Sequence, residues 1–423
     1  MLARSLVALL SLTAGLSGAL PANKTGCHSQ PAGGYQNAVY FTNWAIYDRD
    51  YHPQDLPASQ LTHVLYAFLN LRENGEVYSG DTWADVEKRY PDDSWNDPGT
   101  NAYGCVKQLF LLKKANRHLK TLLSIGGWTW STNFPAVAST PQTRATFART
   151  AVEFMKDWGF DGIDVDWEYP RDDTEAANQV ELLRAVRDEL DRYAAEHAPG
   201  YHFLLTIASP AGPSHYNQMR LAELADVIDN FYLMAYDFAG SWDSVSGHQA
   251  NLYPNPNDAT ATPFSVDGAV QGHLDAGVPA SHIVLGMPIY GRDFLNTDGP
   301  GEPYSGIGQG SWEAGVWDYK DLPRPGATVQ FDNVAQASYS YDNSKRHLVS
   351  YDTPRAVESK VIYLQARGLA GSMFWEASGD RTGAESLLQT SFEALGGTGG
   401  QDSTENLLEY PDSQFANIRH GME

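Results

Sequence analysis

From Asp164 onward, the run Asp161-Gly162-Ile163-Asp164-Val165-Asp166-Trp167-Glu168 carries an acid at every second position. A β-strand sends alternate side chains to opposite faces. Asp164, Asp166 and Glu168 therefore share one face, and Ile163, Val165 and Trp167 the other. Three carboxylates a few ångströms apart in a poorly hydrated interior do not all ionise near neutral pH, so at least one proton is retained. A carboxyl that holds its proton there is what general acid catalysis needs. Pro170 follows two residues after Glu168 and ends the run, which sets Glu168 at the open end of the strand. Asp161 has the opposite parity and is expected to be structural. The same oxygens suit Mg or Ca, but that use explains neither the alternation nor the aromatics around it. No Cys/His spacing resembles a zinc site, and neither a metal nor another cofactor is expected.

The elements that must carry this strand are legible along the chain. β-rich runs fall at 38–44, 63–69, 120–125, 160–168, 202–208, 230–236, 283–288 and 371–375. They alternate with helix-like stretches such as 142–158, 176–197, 222–227 and 354–367, the pattern of a parallel sheet. Eight such strands close a (β/α)8 TIM barrel, whose chemistry sits at the C-terminal strand ends. Gly200, Gly277 and Gly368 stand where left-handed helix caps are expected. Two spacings break the rhythm. Residues 70–104 form an Asp-, Pro- and Trp-containing excursion over one barrel face. Residues 292–350 carry their own β-like pieces and read as a small α+β insertion between strands seven and eight. The expected catalytic domain spans 35–395, and a polar tail follows at 396–423.

Asp-Gly-Ile-Asp-Val-Asp-Trp-Glu at 161–168 resembles the DxxDxDxE signature of the family 18 glycoside hydrolases, the chitinases. Ser124-Ile125-Gly126-Gly127 resembles that family's SxGG motif on the third strand. Met234-Ala235-Tyr236-Asp237 on the sixth and Gly286-Met287-Pro288-Ile289-Tyr290-Gly291-Arg292 on the seventh are also similar. The likeness runs from about Tyr35 to Leu395 and is nearest to the secreted fungal endochitinases. It implies hydrolysis of β-1,4 bonds between N-acetylglucosamine units with retention, the substrate's own acetamido oxygen acting as nucleophile. Carried over residue by residue, it makes Glu168 the acid and then the base. Asp166 orients the acetamido group, Asp164 shares a proton with Asp166, and Tyr236 bonds the acetamido carbonyl. Tyr40 and Ser124 point inward by parity and resemble the groups that support Asp164. Asp237, Arg292 and Glu313 resemble polar residues that contact substrate.

Aromatics are abundant, with 11 Trp, 23 Tyr and 16 Phe, more than a core of this size needs. Indole rings stack on the C–H faces of sugars while excluding water. Trp44, Trp128 and Trp375 all fall at C-terminal strand ends, and Trp375 resembles the tryptophan that floors the family's cleavage subsite. A deep groove of this kind suits chitin and its N-acetylglucosamine oligosaccharides. Two rivals share the fold. A chitin-binding lectin is argued against by the presence of Glu168, since such relatives usually lack the acid. An endo-β-N-acetylglucosaminidase of N-glycans fits the dense Trp set less well.

Asp and Glu number 52 against 29 Lys and Arg, a balance of −23, which repels nucleic acids and anionic membranes but not neutral chitin. Residues 1–22 read as an export signal: a short basic start, an apolar run too short to span a bilayer, then small residues. The expectation is a secreted monomer with a processed or disordered arm at 23–34, where Asn23-Lys24-Thr25 is a glycosylation sequon. Two cysteines, Cys27 and Cys105, do not make a disulfide scaffold, and whether they pair is left open.

Overall fold

The computed structural model describes residue 31 and residues 33–422. The expected signal peptide, the Asn23 sequon, Cys27 and most of the 23–34 arm lie outside the described residues. Eight parallel strands form the barrel: β1 Gln36–Thr42, β2 His63–Leu71, β3 Lys120–Gly126, β4 Gly162–Asp166, β5 Leu204–Pro210, β6 Asn230–Met234, β7 Ile283–Pro288 and β8 Gly371–Trp375. Each pairs with the next, and β8 pairs with β1 to close the ring. This is the (β/α)8 barrel expected from the alternating pattern.

Alternation along the strands separates two cores. Ile163, Val165 and Trp167 join the layer between strands and helices, where Trp167 stacks on Phe134 at 5.4 Å. Tyr40, Leu65, Ala67, Tyr232, Val284 and Met373 fill the barrel interior. The helices around the ring include α1 Gly104–Ala115, α2 Pro141–Trp158 and α3 Asp173–His197. Their ends follow from local chemistry. Thr140 and Asp172 cap α2 and α3 by accepting from amides three residues on, and Gly159 stops α2 at φ +70°.

Three regions depart from the simple ring. The insertion is an antiparallel sheet of five strands: Tyr290–Phe294, Val316–Asp318, Thr328–Asp332, Ala337–Asp342 and His347–Ser350. Its helical part is the 3₁₀ turn Tyr319–Asp321. The 70–104 excursion is more ordered than its composition suggests. It contains the strand Val77–Ser79, paired to β2, and a buried Asp85 held by Tyr66, Ser79 and Asn43 at 2.5–3.0 Å. Burial pushes Asp85 up to about 6. Cys105 lies buried beside it as a free thiol.

The polar tail, from residue 396 through residue 422, folds back against α1 and the chain entering β3 and β4. Asn406 Nδ2 lies 2.7–3.2 Å from the carbonyls of Lys113, Asn116 and Leu119, meeting a carbonyl that the last turn of α1 leaves without an intrahelical partner and two of the turn that follows. Tyr410 is fully buried, its hydroxyl on the Phe160 carbonyl at 2.8 Å.

Candidate active site

Strand β4 ends at Asp166, and Glu168 follows on the chain that leaves the barrel mouth. Register sets Asp164 between Ser124 on β3 and Thr206 on β5. Both hydroxyls donate to its carboxylate at 2.7 Å, and the Tyr40 hydroxyl donates at 2.9 Å. Burial nonetheless raises the Asp164 pKa, against the pull of those three donors. Thr206 was not singled out in the sequence, although it occupies an inward position of its strand.

Asp166 is placed differently. It is 3 % exposed, and its Oδ1 is buried with no hydrogen-bond partner. Burial, then repulsion from Glu168 and Asp164, lifts its pKa well above the usual carboxylate range. An orphaned buried carboxylate oxygen is costly, so it holds a proton or awaits a donor from a ligand. Glu168 is pushed up to about 7, chiefly by burial, with the Asp237 charge adding to the rise; the Tyr169 hydroxyl and the Trp128 amide hold it down. All three acids are thus raised above the usual carboxylate range, and Glu168 keeps its proton up to about 7, in line with the expectation that at least one proton is retained.

The glycines of Ser124-Ile125-Gly126-Gly127 allow β3 to meet β4 this closely. Both have positive φ, and a Cβ on Gly126 would sit 2.3 Å from the Asp166 carbonyl oxygen. The Gly127 amide donates to that oxygen at 2.8 Å.

Aromatic rings surround the acids. Trp375 ends β8 with its ring centroid 5.2 Å from Tyr40, and it stacks on Phe68 at 5.8 Å. Phe68 in turn touches Trp44 at 6.2 Å. Trp44 is 38 % and Trp128 76 % exposed, so both offer open ring faces at strand ends. Tyr236 lies two residues beyond β6, and burial with the charges of Asp237, Asp166 and Glu168 holds its phenol protonated. Asp237 adopts φ +59°, a left-handed geometry that Asp tolerates better than most residues. It accepts from the Tyr290 hydroxyl and from Arg292 Nε, each at 2.6 Å. Glu313 is exposed on the insertion and joins this group as a charge near Arg292. Trp242, unread in the sequence, is 57 % exposed with the Arg292 guanidinium 4.7 Å from its ring centroid. Its signal was only a lone Trp in a loop after the sixth strand. Among the described residues, no group of three or more His, Cys, Asp or Glu is placed to hold a metal ion.

Residues 36–380 match the family described as Glycosyl hydrolases family 18. The chain belongs to that family. Its similarity to individual proteins extends beyond the matched span. It is 63 % identical to Endochitinase 1 of Metarhizium robertsii, over 99 % of this chain and 98 % of that one. It is 58 % identical to Chitinase 1 of Aphanocladium album over the same shares. Among solved structures, the catalytic domain of psychrophilic chitinase B from Arthrobacter TAD20 is similar with a TM-score of 0.80. Identity to it is 28 %, covering 89 % of this chain and 97 % of that chain.

Proposed function

We propose that the chain is an endochitinase that cuts β-1,4 bonds between N-acetylglucosamine units by a retaining, substrate-assisted route. The observation that carries this reading is the pairing of a proton-holding Glu168 with the partnerless buried oxygen of Asp166. Glu168 gives its proton to the bridging oxygen as the C1–O bond breaks. The substrate's acetamido carbonyl oxygen attacks C1 and forms an oxazolinium ion. Asp166 receives the acetamido N–H and offsets the developing positive charge, which supplies the donor its free oxygen lacks. Tyr236 donates to the acetamido oxygen. Glu168, now a carboxylate, takes a proton from water, which opens the ring at C1 and restores the starting anomer. Asp164, held by Tyr40, Ser124 and Thr206, shares a proton with Asp166.

In this reading Trp375 floors the cleavage subsite, while Trp44 and Trp128 take sugar rings on either side. Asp237, Arg292 and Glu313 bond the polymer's hydroxyl groups. The catalytic unit spans 35–395, acts as a secreted monomer on neutral chitin, and needs neither cofactor nor metal. The relatives' names and the dense ring-lined mouth support chitin over a glycoprotein substrate. No described helix is long and apolar enough to cross a membrane.

Product analysis on defined N-acetylglucosamine oligomers tests this. Internal cleavage with products released as the β-anomer is the expected result. Glu168→Gln is expected to lose about 10³-fold or more in turnover while still binding oligomers. α-Anomer products, or near wild-type turnover by the Gln variant, overturn the assignment.

A further inference from the structure

Beyond β4 the strand ladder stops, and the first chain-end group that matters is the Glu168 amide. The last ladder bond runs from the Gly127 amide to the Asp166 carbonyl. The Glu168 N–H instead donates to Ser131 Oγ at 2.8 Å. Ser131 is 7 % exposed and lies on the 3₁₀ turn Trp128–Asn133 that follows Gly127. Its oxygen is 3.0 Å from the Gly127 carbonyl and 3.2 Å from the Asp166 carbonyl. One hydroxyl proton serves one of these acceptors at a time, while the lone pair receives Glu168. The turn begins at Trp128, whose amide also holds the Glu168 pKa down. The backbone of the acid is therefore held by one short turn that follows the neighbouring strand.

We propose that Ser131 is a positioning residue: its hydroxyl ties the turn after β3 to the chain after β4 and fixes where the Glu168 carboxyl sits above Asp166. The inference rests on the catalytic role of Glu168 argued above. Removing the hydroxyl leaves the Glu168 amide without its acceptor. The segment 167–169 is then free to shift, and the Trp128 amide loses its aim at the carboxylate. A misplacement of about 1 Å in a reacting group costs up to about a hundredfold in rate. Losing the Trp128 donor also disfavours the carboxylate form, because that bond stabilises the anion.

The test is steady-state kinetics of the full chain on N-acetylglucosamine oligomers across pH, with unfolding midpoints measured in parallel. Ser131→Ala is expected to lower kcat about ten- to hundredfold with KM changed less than about threefold. Its alkaline rate limb is expected to move to higher pH. Ser131→Thr, which keeps the hydroxyl, is expected to restore most of the rate and return the limb. An Ala variant with wild-type kcat overturns the inference. So does a lower kcat that tracks a lower unfolding midpoint with an unmoved limb, which is what a merely structural serine gives. A folded Thr variant no better than Ala overturns it as well. Glu168→Gln separates the two failures. If that variant still turns over, the proposed function falls and this inference with it. If it is dead while Ser131→Ala behaves as wild type, only the inference falls.

Discussion

Asp161 and Asp166 stand five residues apart on the same strand segment, and their surroundings are opposites. At the lower end, Lys113 Nζ lies 2.8 Å from Asp161 with both side chains fully buried. Asp161 also accepts from the Thr121 amide, the Tyr201 hydroxyl and the Leu407 amide at 2.8–3.0 Å. Each of its oxygens has two partners. At the upper end, the charges acting on Asp166 among the described residues are the like charges of Glu168 and Asp164, and one of its oxygens has nothing to bond. Fold stability therefore gathers where polar groups are satisfied, and chemistry gathers where one has been left waiting.

Breaking the lower pair should produce the largest stability effect. Asp161→Ala strands a buried Lys113 and is expected to cost about 3–5 kcal/mol, read as a lowered urea midpoint. Turnover per folded molecule should stay close to wild type. Equal losses of rate at Asp161 and at Asp166 would erase the distinction between the two ends.

The upper end should behave in reverse, with function carried at a cost to stability. Native Glu168 keeps its proton up to about 7, whereas the unfolded chain releases it near the ordinary glutamate value of 4.5. Between those values the folded state binds more protons, so stability falls as pH rises, and the cost is fully present only above about 7. Glu168→Gln removes that cost. It is expected to be more stable than wild type by up to about 3 kcal/mol above pH 7, with the gap closing toward pH 4. A denaturation series at several pH values checks this, and a gap that is constant with pH contradicts it. The rate of the wild type should fall as pH rises through about 7, because the acid form is the one that donates.

The smallest effect expected concerns the rings. In the inactive Gln background, Trp375→Ala should weaken oligomer binding about tenfold, or ~1.4 kcal/mol, measured by calorimetry. Trp128→Ala, at a more open ring, should weaken it about threefold. The reverse order would move the tightest sugar contact away from the acids.

Much of this was legible because the strand period and the barrel geometry agree. The acid run, the eight strands and the inward parity of Tyr40 and Ser124 follow from local pattern alone. Parity was carried one step past its domain, since β4 ends at Asp166 and Glu168 is held by a turn rather than by the ladder. Ser131 could not be found that way, because a lone serine in a Trp-rich turn carries no periodic signal. The tail was unreadable for a related reason. Asn406 and Tyr410 are polar residues that become buried only through partners almost 300 and 250 positions distant in the chain, and composition registers only their polarity. Asp85 carries no signal inside an excursion whose Asp and Pro content reads as loop.

The returning tail has a practical side. By bracing α1 and the chain that enters β3 and β4, it packs into the layer between strands and helices at the end of the barrel remote from the acids. A tag, linker or appended polypeptide fused at the C-terminus would extend from that end and leave the upper opening clear. Trimming back to residue 400 would instead take the Tyr410 hydroxyl from the Lys113 ammonium and strip a layer from the outer core.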